Sequence, residues 1–351
     1  MRRAVLLLLL VAAGCHRPFF LVTQSRVGMD TPVEMNGHFI QETPPVSRNG
    51  PVVEMPVAGC RAGQGPRIAL IDVDGLLLNS DLAGPYSVGE NPVALFREKL
   101  DAVAADPAVA AVVVRINTPG GGVTATDIMW HDLQTFRART HRPVVACLMD
   151  LGAGGGYYLA TASDLIVAHP TTVTGGIGVI LNLYNLKDAM AYFNVLSQFI
   201  KAGPNIDMGT MTSALTPEAR KLLQGMADEF HLRFRRLVEQ SRPGINAKDE
   251  SNFDGRVFTA AQALERRLID RIGYLDDALD AARQLARVGE AAVVLFHRGN
   301  DSAHSPYATT PNVPLQSTFL PVSVPGLDRA RLPTFLYLWQ PEPTMERLGG
   351  R

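Results

Sequence analysis

Between about Arg67 and Ala286, short unbroken apolar runs alternate with stretches whose apolar residues recur every three or four positions. Ile68-Ala69-Leu70-Ile71-Asp72-Val73, Val112-Val113-Val114-Arg115-Ile116, Val144 to Met149 and Leu165-Ile166-Val167-Ala168 read as strands buried on both faces. Helices fall between them. Asn91-Pro92 supplies an N-cap and an N1 proline, and Val93, Phe96, Leu100 and Val103 follow at helical spacing. A second helix carries Ile128, Trp130, Leu133 and Phe136. Thr216-Pro217-Glu218 opens a long amphipathic helix through Leu222, Met226, Phe230, Phe234 and Leu237, and Thr259 caps one carrying Leu264 and Leu268. This order predicts an α/β fold of repeated βαβ units with right-handed crossovers. The pattern alone fits a nucleotide-binding fold equally well.

On either side the periodicity lapses. Residues 15–66 read as a tether broken by Thr43-Pro44-Pro45, Asn49-Gly50-Pro51, Pro56 and Pro66, and residues 287–351 as a Pro-rich tail punctuated from Pro306 to Pro333. The tail holds one apolar patch, Phe335-Leu336-Tyr337-Leu338-Trp339, too short to fold by itself. It must dock on this domain or a neighbour, or remain an exposed liability.

The first residues carry targeting chemistry. Arg2 and Arg3 precede a short apolar run from Val5 to Ala13, suited to a signal h-region and short of the ~18–20 residues that span a bilayer. The run ends in Ala12-Ala13-Gly14-Cys15, so residues 1–14 resemble a lipoprotein signal peptide, with Cys15 as the lipidated first residue of the mature chain. An ordinary secretory signal with an incidental cysteine is the alternative. The implied location is the bacterial cell envelope, lipid-anchored to a membrane and facing the periplasm or exterior. Cys60 and Cys147 do not make a disulfide framework. No His-Glu-x-x-His or Cys-x-x-Cys spacing points to a metal, and no cofactor is called for. A formal charge of −1 without a Lys/Arg-rich tract gives a nucleic-acid partner no electrostatic support.

Two glycine-rich turns separate the candidate folds. Asn117-Thr118-Pro119-Gly120-Gly121-Gly122-Val123 joins a strand to a helix, and Met149-Asp150-Leu151-Gly152-Ala153 runs into Gly154-Gly155-Gly156-Tyr157-Tyr158 at the start of another. Bare glycines there expose backbone N–H groups to a ligand oxygen. The spacing matches neither Gly-x-Gly-x-x-Gly nor a Walker loop, so an oxyanion hole built by Gly120, Gly121, Gly122 and Gly155 is the better reading than a phosphate cradle. A tight turn without a ligand is the plain alternative.

These turns resemble the Asn-Ser-Pro-Gly-Gly-Gly and Ala-Ser-Gly-Gly-Tyr-Tyr segments of the signal peptide peptidase A (protease IV) family. Thr174-Gly175-Gly176-Ile177-Gly178-Val179, Lys201-Ala202-Gly203, Gly255-Arg256-Val257-Phe258-Thr259 and Leu268-Ile269-Asp270 resemble further family segments in the same order. The resemblance implies a ClpP/crotonase-like fold over residues 67–286 in single copy. It also implies oligomers, either of this chain or with active relatives, and peptides or signal-peptide remnants as ligands.

The family cleaves peptides with a Ser–Lys dyad, in which a lysine held neutral takes the proton of the attacking serine. Here Gly154 stands at the nucleophile position and Ile206 at the base position. Gly176 replaces the serine that supports the lysine. Thr161 and Ser163 lie farther along the helix, and His169 with Asp164 lies at a strand end. The preferred reading is therefore a non-hydrolytic relative that binds peptides or peptidase subunits. The competing readings are a serine endopeptidase with a relocated dyad and a crotonase-type acyl-CoA enzyme.

Overall fold

The computed structural model describes residues 50–58, 65–80, 90–299, 305–308 and 335–339. Cys15 and Cys60 lie outside the described residues. The strands are β1 (Val52–Ala58), β2 (Arg67–Asp74), β3 (Val109–Thr118), β4 (Gly120–Gly122), β5 (Val144–Ala153), β6 (Leu165–Ala168), β7 (Val173–Gly175), β8 (Val257–Thr259), β9 (Arg271–Ile272), β10 (Ala292–Arg298) and β11 (Leu336–Leu338). The helices are α1 (Pro92–Ala105), α2 (Val123–Thr140), α3 (Gly155–Ala160), α4 (Lys187–Tyr192), α5 (Pro217–Ser241), α6 (Ala260–Glu265) and α7 (Leu275–Ala286).

A nine-stranded sheet runs β1-β10-β2-β3-β5-β6-β9, with β7 continuing from β5 and β8 pairing β7. Its centre is parallel from β10 through β9, and β1 closes one edge antiparallel to β10. Both faces are covered, which explains the unbroken apolar runs. Ile68, Leu70, Ala111, Val113, Val145, Cys147 and Val167 pack towards Leu275, Ala278, Leu279 and Ala282 of α7. The alternate residues Ala69, Ile71, Val112, Val114, Val144, Ala146 and Leu148 pack in the larger core with α1, α2, α3 and α5. Cys147 lies inside this packing, and burial pushes its thiol up to about 12, so it remains protonated.

Helix starts follow from their caps. Asn91 accepts from the N–H groups of Val93 and Ala94 ahead of α1, and Thr216 accepts from Ala219 at the head of α5. Thr259 and Gln262 form a reciprocal capping box on α6. The apolar stripe of α5 is only partly buried: Phe234, Leu237 and Val238 enter the core, whereas Leu222 and Met226 are exposed.

The sheet extends past 67–286 at both ends, which corrects the tether and tail boundaries. β10 is an apolar strand buried along its whole length, and the prolines of the tail begin only after it. β1 lies within the stretch read as a tether. Its pairing shifts register between Pro56 and Ala58, where proline lacks a donor, a defect that an edge strand tolerates. That irregularity erased the alternation by which the strand could have been read.

A buried ion pair ties α1 to the sheet. Lys99 sits on the apolar stripe of α1, three residues after Phe96, and its Nζ donates to Asp72 of β2 at 2.6 Å, both side chains being almost fully buried. Removing one member of such a pair strands the other charge in a low dielectric. Lys99→Met is expected to cost about 3–5 kcal/mol of unfolding free energy, measured by urea denaturation. Asp72→Leu in the same chain should recover much of the loss, and a single variant as stable as wild type would contradict the account.

Candidate peptide groove

The first glycine turn becomes β4, a strand without side chains. On one side Gly122 donates to the carbonyl of Leu77 at 2.8 Å, while Leu77 donates to the carbonyl of Gly120 at 3.0 Å. On the other side lies β11, antiparallel, with Leu336 opposite Gly122, Tyr337 opposite Gly121 and Leu338 opposite Gly120. Gly120 has φ +107°, and a Cβ there would stand 3.0 Å from the Tyr337 carbonyl carbon, closer still to its oxygen. Only glycine allows backbone this near to backbone.

The second turn is a strand-to-helix elbow. β5 ends at Ala153, Gly154 takes φ +53° and ψ −120°, and α3 begins at Gly155. A sharp strained turn between strand and helix is how hydrolases push a nucleophilic side chain into the open. Gly154 holds that backbone shape without a side chain. A Cβ built on it would lie 2.9 Å from the Tyr337 carbonyl carbon and 3.0 Å from the Pro119 oxygen. Gly155 follows beside Gly120, 3.2 Å from a Cβ position to the Gly120 Cα.

Gly176 joins the same cluster. The amide of Gly154 donates to the Gly175 carbonyl at 2.9 Å, and a Cβ on Gly176 would meet the Gly154 nitrogen at 3.2 Å and Trp339 Cβ at 3.1 Å. The fold thus brings Gly120, Gly121, Gly122, Gly154, Gly155 and Gly176 together around β11. Ile206 is elsewhere. It lies in the turn-rich stretch after Lys201 and is 74% exposed. In the single chain a lysine at this position would be solvated. Lys201 is bound to Asp207 at 2.7 Å on the same surface.

The other hydroxyls and bases are engaged in structure. Thr161 Oγ1 donates to the Tyr158 carbonyl and accepts from Trp130, and Ser163 donates to the Ala160 carbonyl. Asp164 receives Arg137 and the Val144 amide, while His169 pairs with Thr171, so these two are not joined in a triad. Tyr157 donates to the Leu268 carbonyl in the core, and burial raises its phenol above the ordinary range. Among the described residues there is no group of His, Cys, Asp and Glu able to hold a metal ion.

Next to β4, Asp74 ends β2 with Arg115 3.6 Å away. Burial, reinforced by the neighbouring Asp72, pushes its carboxyl up to about 6 despite the opposing Arg115. Arg115 itself donates to the carbonyls of Pro306 and Ala308, holding residues 305–308 of the tail against the sheet.

The family model for Peptidase family S49 matches residues 137–289, which include the Gly154 elbow, Gly176 and Ile206. Protease 4 of Salmonella typhi is 31% identical over 227 residues, 65% of this chain and 36% of that protein. The chloroplastic serine protease SPPA of Arabidopsis thaliana is 32% identical over 229 residues, 64% of this chain and 33% of that protein. The resemblance to the signal peptide peptidase A family expected from the sequence is borne out by these matches. The chain's parallel βαβ sheet is the α/β arrangement of repeated βαβ units expected from the sequence. The matched stretch spans about a third of the length of those two relatives. A solved structure of a membrane-bound stomatin-specific protease, a mutant in complex with a substrate peptide, aligns at 15% identity and a TM-score of 0.40 over 68% of this chain and 94% of that one.

The groove residues that sequence reasoning missed are aromatic. Tyr158 and Phe234 surround Tyr337, with ring centroids 5.1 Å and 4.8 Å away, and Asp127 accepts from the Tyr158 hydroxyl at 2.5 Å. Phe335, Tyr337 and Trp339 alternate along the tail patch, and that period of two was its available strand signal.

Proposed function

We propose that this signal peptide peptidase A family member is a non-hydrolytic peptide-binding protein of the bacterial envelope. The observation that carries the reading is the elbow at Gly154, which has the strained backbone of a nucleophile turn and no nucleophile. The base position adds to it. Ile206 cannot accept a proton, and its exposed turn offers no pocket that would keep a lysine neutral. A serine-protease template stripped of its catalytic residues retains only ~10³–10⁴ over water, from binding and the oxyanion hole.

The wild-type chain is expected to show no labelling by a fluorophosphonate and no cleavage of casein. Gly154→Ser alone should remain unlabelled, because a hydroxyl without a base stays protonated, and Ile206→Lys alone has no nucleophile to serve. Weak labelling is expected only when both are present and self-association brings the exposed position 206 of a second copy to the elbow. It should strengthen in a Tyr337→Ala background, because losing the ring contacts loosens the tail whose backbone carbonyl the new side chain would meet, and with Gly176→Ser. Strong labelling of wild type at any residue would refute the reading.

Self-association belongs to the same proposal, with a second copy of this chain as partner. Tyr192, Phe193, Val195, Leu196, Phe199, Ile200 and Ile206 are exposed, and no charged residue falls between Ala189 and Ile200. Leu222 and Met226 on α5 add exposed apolar surface. A patch of this kind on a soluble face marks an interaction site, and a partner pressed against it would desolvate position 206. Light scattering at micromolar concentration should show an oligomer that Phe193→Glu with Ile200→Glu reduces to monomer. A monomeric wild type would count against it.

The anchor is proposed at Cys15, on the signal-like residues before it. Among the described residues no helix is long and apolar enough to cross a membrane. Cys15→Ser should move the protein from the membrane to the soluble fraction, and mass spectrometry showing an unmodified mature N-terminus would overturn the proposal.

A further inference from the structure

The tail strand is seated as a ligand is. β11 lies between two backbones: on one side β4, where Val123 donates to the Phe335 carbonyl at 3.1 Å and Trp339 donates to the Pro119 carbonyl at 3.0 Å. On the other side Leu336 exchanges hydrogen bonds with Ile180 at 2.9 and 3.0 Å. An extended peptide added between strands takes affinity from these main-chain bonds and selectivity from side-chain pockets. The Tyr337 side chain fills such a pocket completely. Its ring lies nearly parallel to Tyr158, with 21° between the planes, and against Phe234, and its hydroxyl donates to the Phe230 carbonyl at 2.9 Å. Phe335 makes an edge contact with Phe230. The Tyr337 carbonyl, meanwhile, is wedged between Gly120 and Gly154.

We propose that this groove is a receptor for extended peptide segments bearing a tyrosine flanked by apolar residues, and that the chain's own residues 335–339 are its resident, displaceable competitor. The proposal rests on the reading of the chain as a peptide binder. Tyrosine is selected over smaller residues by the ring stack, and over phenylalanine by the hydroxyl's bond to the Phe230 carbonyl. Because β11 is on the same chain, it competes at an effective concentration that for short linkers is in the ~millimolar range. A micromolar peptide therefore meets an occupied site. Arg115 grips residues 305–308 on the α7 face of the sheet, which shortens the chain between the domain and β11. Gly154 lacks the side chain that would collide with the tail or attack it, so the Tyr337–Leu338 peptide bond rests unbroken at the elbow.

The test uses the full chain and a fluorescein-labelled peptide with the sequence of residues 333–341, read by anisotropy. Tyr337→Ala and Leu336→Pro should each bind it at least tenfold more tightly than wild type. A peptide with alanine in place of its tyrosine should bind those variants at least tenfold more weakly, and one with phenylalanine a fewfold more weakly. Both variants lie in the tail, and circular dichroism reports whether the domain is folded. In wild type, hydrogen exchange at residues 335–339 should be slow and should accelerate with millimolar unlabelled peptide. Equal binding by wild type and folded variants, indifference to the central tyrosine, or exchange unchanged by peptide would each overturn the proposal. Mass spectrometry of the bound peptide separates the two readings. Cleaved peptide would refute the non-hydrolytic reading and leave the groove assignment standing, whereas intact peptide without tail competition would do the reverse.

Discussion

At Gly120–Gly122 three backbones meet with nothing between them, and the rest of the site is arranged around that approach. Leu77 closes one edge of β4, β11 closes the other, and the Gly154–Gly155 elbow presses from the third direction. A side chain at Gly121 would run into the Leu77 backbone, and one at Gly120 into Tyr337. The cost of three consecutive glycines, which weaken a strand by entropy and by absent packing, is offset by hydrogen bonds on both edges. What results is a narrow slot whose walls are peptide groups, suited to another extended peptide and to little else.

The slot is held in place by the sheet beneath it. β3 and β5 deliver the two glycine turns at neighbouring carboxyl ends of parallel strands, where open α/β sheets place their binding crevices. Their positions depend on a core filled on both faces. The Lys99–Asp72 pair, set below Leu77 among Phe96, Leu95 and Met129, links α1 to the strand that leads into the slot.

Most of the sheet and the glycine cluster was legible in the sequence because both rest on local signals. Apolar runs marked the central strands, Asn91 and Thr216 marked helix starts, and Gly120–Gly122 and Gly154–Gly156 stood directly after strands. What escaped reading was non-local. β1 pairs with β10 from far along the chain, and Pro56 breaks its pattern. The groove aromatics Tyr158, Phe234 and Tyr337 come from three separate elements and meet only in the folded chain. Lys99 did leave a trace, a charge on an apolar stripe, as did Asp72 inside an apolar strand. Two such interruptions in facing elements are the signature of a buried pair, but only the fold shows that they face each other. Ile206 was read from motif order alone, and its exposure depends on tertiary contacts that motif order does not encode.

The absent hydroxyl at Gly154 and the occupied groove bear on each other through geometry. An attacking side chain at the elbow must stand beside the carbonyl carbon of a bound peptide, and that is the space the Tyr337 peptide group fills. With serine at the elbow, the resident tail would have to retreat or would sit as a cleavable bond beside its attacker. With glycine, it can lie at full contact, its carbonyl against Gly120 and Gly154 and its ring sealed under Tyr158 and Phe234. A dormant elbow thus permits closer seating of a peptide than an active one does. On the proposed non-hydrolytic reading a bound segment stays longer, since neither chemistry nor a side chain at position 154 expels it. Residence then depends on the main-chain bonds to β4 and Ile180 and on the tyrosine pocket, and these are the terms by which one peptide displaces another.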